Sequence, residues 1–180
     1  MSRPADRRRH YYVTSGYRGQ RSMIRATARV LKNIIEVEVG AETWTGRPVE
    51  TESPGLGPKI AALFSTEYVL DRPSAATDGR SVVSYRAKAD EIRIQVGEDL
   101  WKTKATTFGP MTILYGGVEY TINERLTGRF AVLRGADPVG VGRLGFRSCV
   151  IEEYPPALEV FLAHLALGYV IRTLTWEMFG

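Results

Sequence analysis

From Pro155 onward the chain reads PPALEVFLAHLALGYVIRTLTWEMFG. Between Val160 and Ile171 the only polar residue is His164, and Gly168 is the single glycine. A helix on a protein surface carries an apolar stripe, whereas a helix apolar all round lies in a core or a membrane. Pro155 and Pro156 suit a first helical turn, where a missing N–H costs little. Glu159 falls near the positive end of the helix dipole and Arg172 near the negative end. The pattern predicts a helix over about 156–177, roughly 33 Å long at about 1.5 Å per residue.

Short strand-like runs fill the rest of the chain. Residues 34–39 alternate Ile-Ile-Glu-Val-Glu-Val and predict a half-buried strand. Further strands are expected at 11–14, 60–64, 68–71, 81–87, 91–96, 100–107, 112–115, 118–123, 129–133 and 139–151. Residues 23–32 fit either a strand or a helix with Arg25, Arg29 and Lys32 on one face. Residues 51–58, TESPGLGP, read as a loop. Gly97-Glu98-Asp99, Gly109-Pro110, Gly116-Gly117 and Gly135-Ala136-Asp137-Pro138 punctuate the strands. Many short strands with regular turn chemistry indicate an antiparallel sandwich or barrel.

Three placements of the helix follow from its composition. A bilayer span needs roughly 20 mostly apolar residues. Here the clean stretch is 12 residues, holds His164, and is bracketed by Glu159 and Arg172, so no transmembrane span is expected. A helix laid over an open sheet, as in a helix-grip fold, keeps one exposed face and leaves an apolar cavity for a small ligand. A helix running through a closed barrel is buried on its whole circumference, which suits this pattern best. The expected architecture is mainly β (α+β): a closed antiparallel barrel of about 12 strands enclosing a C-terminal hydrophobic helix. Residues 10–180 form the single domain, and residues 1–9 are expected to be a disordered basic tail.

The segment from Tyr115 to Phe179 carries GGVEYTINERLTGRFAVLRGADPVGVGRLGFRSCVIEEY and then the helix. Its glycine-bearing turns and glycine-punctuated last strand, leading directly into an apolar helix, resemble the tubby C-terminal-like superfamily. That group includes tubby domains, phospholipid scramblases and LURP-one-related proteins. The resemblance is one of pattern. It implies membrane-associated or phosphoinositide-binding roles, as in some members, and carries over no individual functional residue. An acidic calcium loop of the scramblase kind needs closely spaced Asp or Asn oxygens, which this sequence does not supply. A lipidated cysteine cluster is also missing, because Cys149 is the one cysteine.

Charge gives the functional expectation. Residues 1–32 hold nine Lys or Arg against Asp6 alone, whereas the remainder holds 15 basic and 19 acidic residues. A local excess of arginine favours anionic partners. Arg7, Arg8, Arg9, Arg18, Arg21 and Arg25 are therefore candidate contacts for anionic lipid or phosphate. The expected function is a non-enzymatic scaffold or binding module, cytoplasmic and peripheral to an anionic phospholipid surface. The charged N-terminus lacks a signal-peptide stretch, and a lone cysteine excludes an internal disulfide framework. Two alternatives remain open. One is a small apolar-ligand carrier or enzyme with the helix-grip fold. The other is a nucleic-acid-binding protein, for which only Tyr11, Tyr12 and Tyr17 interleave with the basic residues.

No catalytic, cofactor or metal site is expected. Gly140-x-Gly142-x-x-Gly145 matches a dinucleotide fingerprint, but it precedes a strand-like run, and the residue 20 positions later is Leu165. These glycines instead suggest a bent or closely approached strand. His164 is expected to be a core histidine hydrogen-bonded to a strand, against a proton-transfer or ligand role. Cys149 reads as an inert core thiol. Glu152 and Glu153 read as solvating the strand-to-helix corner, and Trp44, Trp101 and Trp176 as core packing.

Overall fold

The computed structural model describes residues 22–49, 66–73, 81–106 and 109–179. The expected strands at 11–14 and 60–64, the loop at 51–58 and the tail at 1–9 lie outside them.

Twelve antiparallel strands close into one barrel, each paired with its neighbours in sequence, and the last with the first. The first quarter is β1 (Met23–Arg29), β2 (Ile34–Val39) and β3 (Glu42–Pro48). Then come β4 (Glu67–Asp71), β5 (Ser81–Arg86), β6 (Glu91–Val96) and β7 (Asp99–Thr106). The circle continues through β8 (Gly109–Tyr115), β9 (Val118–Glu124), β10 (Arg129–Arg134), β11 (Asp137–Gly145) and β12 (Ser148–Glu152). Closure runs from Met23 opposite Glu152 to Thr27 opposite Ser148. Period-two alternation sorts each strand into an inner and an outer face. Ile35, Val37 and Val39 point inward on β2, and Ile92 and Ile94 on β6. A closed barrel leaves no unpaired sheet edge.

The helix α1 (Glu159–Phe179) follows a 3-10 turn at Pro156–Leu158. Phe161 to Ile171 are all buried, three turns without an exposed face. Its neighbours come from all round the barrel. Phe161 stacks on Tyr115 of β8 at 4.5 Å between centroids, and Tyr169 on Phe130 of β10 at 5.0 Å. Gly168 faces Ile92 of β6 so closely that an added Cβ would collide with it. A Cβ at Gly46 of β3 would lie 3.1 Å from Leu167. The barrel's interior is therefore its own helix, as expected for an enclosed helix. The exposed face and internal cavity of a helix-grip fold are not found among the described residues.

Three local readings need correction. The sequence suggested no strand between residues 40 and 50, yet β3 is there. Its two buried positions are Trp44 and Gly46, and the glycine leaves space for Leu167, so no apolar alternation announces the strand. The run 139–151 is two strands rather than one. The chain reverses at Phe146-Arg147, with Arg147 in the left-handed region at φ 55°, a turn without the usual glycine or asparagine. The ambiguous run 23–32 divides into β1 and a 3-10 turn at Val30–Lys32.

Gly140-x-Gly142 lies on β11, not in a loop opening a helix. Gly142 pairs with Phe130, and a Cβ there would overlap the Phe130 ring. The glycine makes room for the ring that stacks on Tyr169.

Candidate functional site

The two ends of the barrel differ chemically. At the distal end, where α1 finishes, the described turns are β1–β2, β5–β6, β9–β10 and β11–β12. Each turn together with its flanking residues contributes cations: Arg29 and Lys32; Arg86 and Lys88; Arg125 and Arg129; and Arg147. Against these seven stand three acids, Asp90, Glu91 and Glu124. At the proximal end, where α1 begins, the described turns are β2–β3, β6–β7, β8–β9, β10–β11 and the corner into the helix. They hold one cation, Arg134, against six acids: Glu42, Glu98, Asp99, Asp137, Glu152 and Glu153. The described turns are thus polarised along the axis, although Glu36 and Glu177 also lie at the distal end, paired with Arg29 and Arg147, and Arg72 lies at the proximal end, over Trp44.

Exposed apolar side chains at the turn tips follow the same division, although Leu100 and Leu114 are exposed on the strand flanks near the proximal end. Leu31 and Leu126 stand fully in solvent at the tips of β1–β2 and β9–β10, Phe146 is 77% exposed at β11–β12, and Trp176 is 58% exposed near the end of α1. The proximal turns consist of Gly40-Ala41, Gly97-Glu98, Gly116-Gly117 and Gly135-Ala136.

The distal tips are held by backbone geometry. In β9–β10, Gly128 N–H donates to Arg125 O at 2.9 Å and Arg125 N–H to Arg129 O at 2.8 Å. In β1–β2, Asn33 N–H donates to Val30 O at 3.1 Å. Ala28 N–H donates to Arg147 O at 3.0 Å, tying the β11–β12 turn to β1. Lys32, Arg86, Lys88, Arg125 and Arg129 are exposed and have no ion-pair partner among the described residues.

A cleft of about 390 Å³ opens at this end between Ala28, Val30, Ile34, Ile35 and Leu174, with Tyr68 in its wall. Burial raises the Tyr68 phenol above its ordinary value. Two ion pairs flank the cleft, Arg29–Glu36 at 2.6 Å and Arg147–Glu177 at 2.9 Å. Arg172 closes the far side of the helix end, bonded to Asp90 through two nitrogens and to Glu124 at 2.8 Å. Burial opposes its charge, but the bonds and attraction of Asp90 and Glu124 outweigh that, and its pKa rises. Tyr85 donates to Asp90, and the Trp176 indole donates to Tyr85, both at 2.8 Å.

Of the candidate lipid contacts, Arg25 is exposed on the outer face of β1, 4.0 Å from Glu38. Arg7, Arg8, Arg9, Arg18 and Arg21 lie outside the described residues. Arg29 and Lys32 belong to the basic segment noted in the sequence, but the other distal cations and the apolar tips were not singled out there. Their signal is weak but present: alternate turns are basic-apolar and glycine-acidic.

The core groups offer no reaction chemistry. Burial drives the Cys149 thiol far up, so it stays protonated. His164 is buried, and burial lowers its pKa to about 4. Its Nδ1 lies 2.6 Å from Val160 O, so its partner is its own helix rather than a strand. Nε2 has no partner and packs edge-on near Trp44. Trp44 and Trp101 are packed inside, but Trp176 is exposed, and the three share no pocket. Glu152 and Glu153 are exposed at the corner, with Glu153 at φ 57°. Among the described residues no three His, Cys, Asp or Glu side chains converge on a metal position. Residues 156–177 are long and apolar enough to cross a bilayer by composition, and most of that window is buried inside the barrel.

No protein-family model, curated protein or solved structure matches the chain.

Proposed function

We infer that this protein is a non-enzymatic binding module of the tubby-like kind that associates, from the cytoplasm, with anionic membrane lipid. The observation carrying this reading is the axial segregation of charge among the described turns: seven cations in the distal ones and six acids in the proximal ones. The enclosed helix supports it, because a barrel filled by its own chain keeps its binding chemistry outside. Each basic residue near an anionic surface contributes about 1 kcal/mol, so the five unpaired distal cations together are enough for measurable attachment. The N-terminal arginines would add to it.

Co-sedimentation with phosphatidylcholine vesicles, with and without phosphatidylserine, tests the reading at low and raised salt. Wild type is compared with a variant in which Lys32, Arg86, Lys88, Arg125 and Arg129 become Gln, and with one in which Arg7, Arg8, Arg9, Arg18 and Arg21 do. Salt-sensitive binding to the anionic vesicles that weakens in the first variant is expected. Equal binding by all three proteins, or binding by none, overturns the assignment. A salt-dependent gel shift of DNA or RNA without vesicle binding would place the cations at nucleic acid instead.

A further inference from the structure

We propose that the protein docks with its distal end down and inserts the tips Leu31, Leu126 and Phe146, with Trp176, into the interface of an anionic bilayer. This orientation rests on the lipid-binding reading. Scattered exposed apolar residues are ordinary on protein surfaces. Leu100 and Leu114 are also exposed, on strand outer faces toward the proximal end, but the apolar residues that project from turn tips occupy three distal turns, with Trp176 at the end of the central helix beside them. Each apolar tip also adjoins a cation in sequence, as Leu31-Lys32, Arg125-Leu126 and Phe146-Arg147. The Arg147 guanidinium lies over the Phe146 ring at 4.7 Å. An apolar tip beside a cation matches the boundary of an anionic bilayer, where acyl chains lie below charged head groups.

The geometry of the tips supports insertion. The hydrogen-bonded turns hold Leu31 and Leu126 outward, so little conformational freedom remains to be lost on docking. Trp176 has its indole N–H satisfied by Tyr85, which leaves the ring as its exposed part. Tryptophan is favoured at membrane interfaces for its amphipathic ring. The acidic proximal end would be repelled by the same surface, which fixes the sign of the orientation.

The test uses the buried Cys149, which leaves an introduced surface thiol as the site of labelling. Leu126→Cys and, at the proximal end, Ala136→Cys are each coupled to an environment-sensitive fluorophore. Both are mixed with vesicles of equimolar phosphatidylcholine and phosphatidylserine. A blue shift at position 126 with none at 136 is expected. A second variant combines Leu31→Gln, Leu126→Gln and Phe146→Gln. It should melt like wild type, because these side chains are exposed, and partition onto the vesicles at least about tenfold more weakly. Vesicle binding with equal signals at both labels, or a triple variant that partitions like wild type, overturns the orientation while leaving lipid binding standing. Absence of vesicle binding by the wild type removes both.

Discussion

Arg172 and Asp90, 82 positions apart, form a two-pronged ion pair, Nε to Oδ1 at 2.9 Å and Nη2 to Oδ2 at 3.1 Å. Asp90 holds its place at φ 46°, at the end of the 3-10 turn between β5 and β6. The pair pins the last third of α1 to the barrel rim, and Glu124 joins it from β9. Bidentate guanidinium–carboxylate pairs are among the stronger polar contacts.

Replacing Arg172 by Met should lower stability by about 1–3 kcal/mol, because Asp90 and Glu124 then face each other without a cation. Urea unfolding measures it. A double-mutant cycle between Arg172 and Asp90 should give a clear coupling. The same cycle between Arg47 and Asp71, an exposed pair at 3.3 Å, should give almost none. Equal couplings would mean that the pair does not anchor the helix.

Two glycines of one sequence motif should respond differently to alanine. At Gly142 the new methyl would displace the Phe130 ring from its stack on Tyr169, at a cost of about 1–3 kcal/mol. At Gly140 the methyl meets Ile151 and Leu162 at 3.6 Å, ordinary contact, so stability should change by less than about 1 kcal/mol. Melting temperatures of the two variants decide it, and matching losses would refute the packing account.

His164 predicts an acid-side loss of stability. Its folded pKa of about 4 lies below the ordinary histidine value of 6.5, because burial disfavours the charged ring. Below pH 6.5 the unfolded chain takes up a proton that the folded chain refuses, so stability falls as pH drops toward 4 and is unaffected by this group above 6.5. The full effect is about 3 kcal/mol. In His164→Leu the decline between pH 6.5 and 4 should shrink by that order. An unchanged pH profile would show that His164 is charged, or accessible, in the native protein.

Leu165 has no exposed surface. Leu165→Ala should cost about 2–5 kcal/mol through the cavity left behind. Leu165→Asp would place an unpaired carboxylate inside the barrel and should prevent folding. A Leu165→Asp protein that stays in solution and melts cooperatively at the wild-type temperature would contradict the enclosed helix.

Much of the fold was legible because two periodicities are plain. The apolar circumference of 160–171 announced a buried helix, and the alternation at 34–39 and 91–96 announced strands. What escaped were places where the neighbour, not the strand, sets the residue. Gly46 stands at a position where Leu167 takes the space, so β3 was invisible. Arg147 turns the chain at a positive φ that its own side chain does not favour, so β11 and β12 read as one.

The site was less legible than the fold. The sequence drew attention to clustered arginines, which stand close together along the chain. The distal cations and apolar tips lie one or two to a turn, separated by strands that return to the other end. Sequence alone determined that the chain is a many-stranded antiparallel protein around an apolar helix, because hydrophobic periodicity is a local property. Up-and-down pairing of sequence neighbours put alternate turns at one end, and only closure of β1 onto β12 brought the β1–β2 turn beside β11–β12. Strand pairing and register act between residues far apart in the chain, and they are what gather Leu31, Leu126 and Phe146 with their cations around the end of the helix.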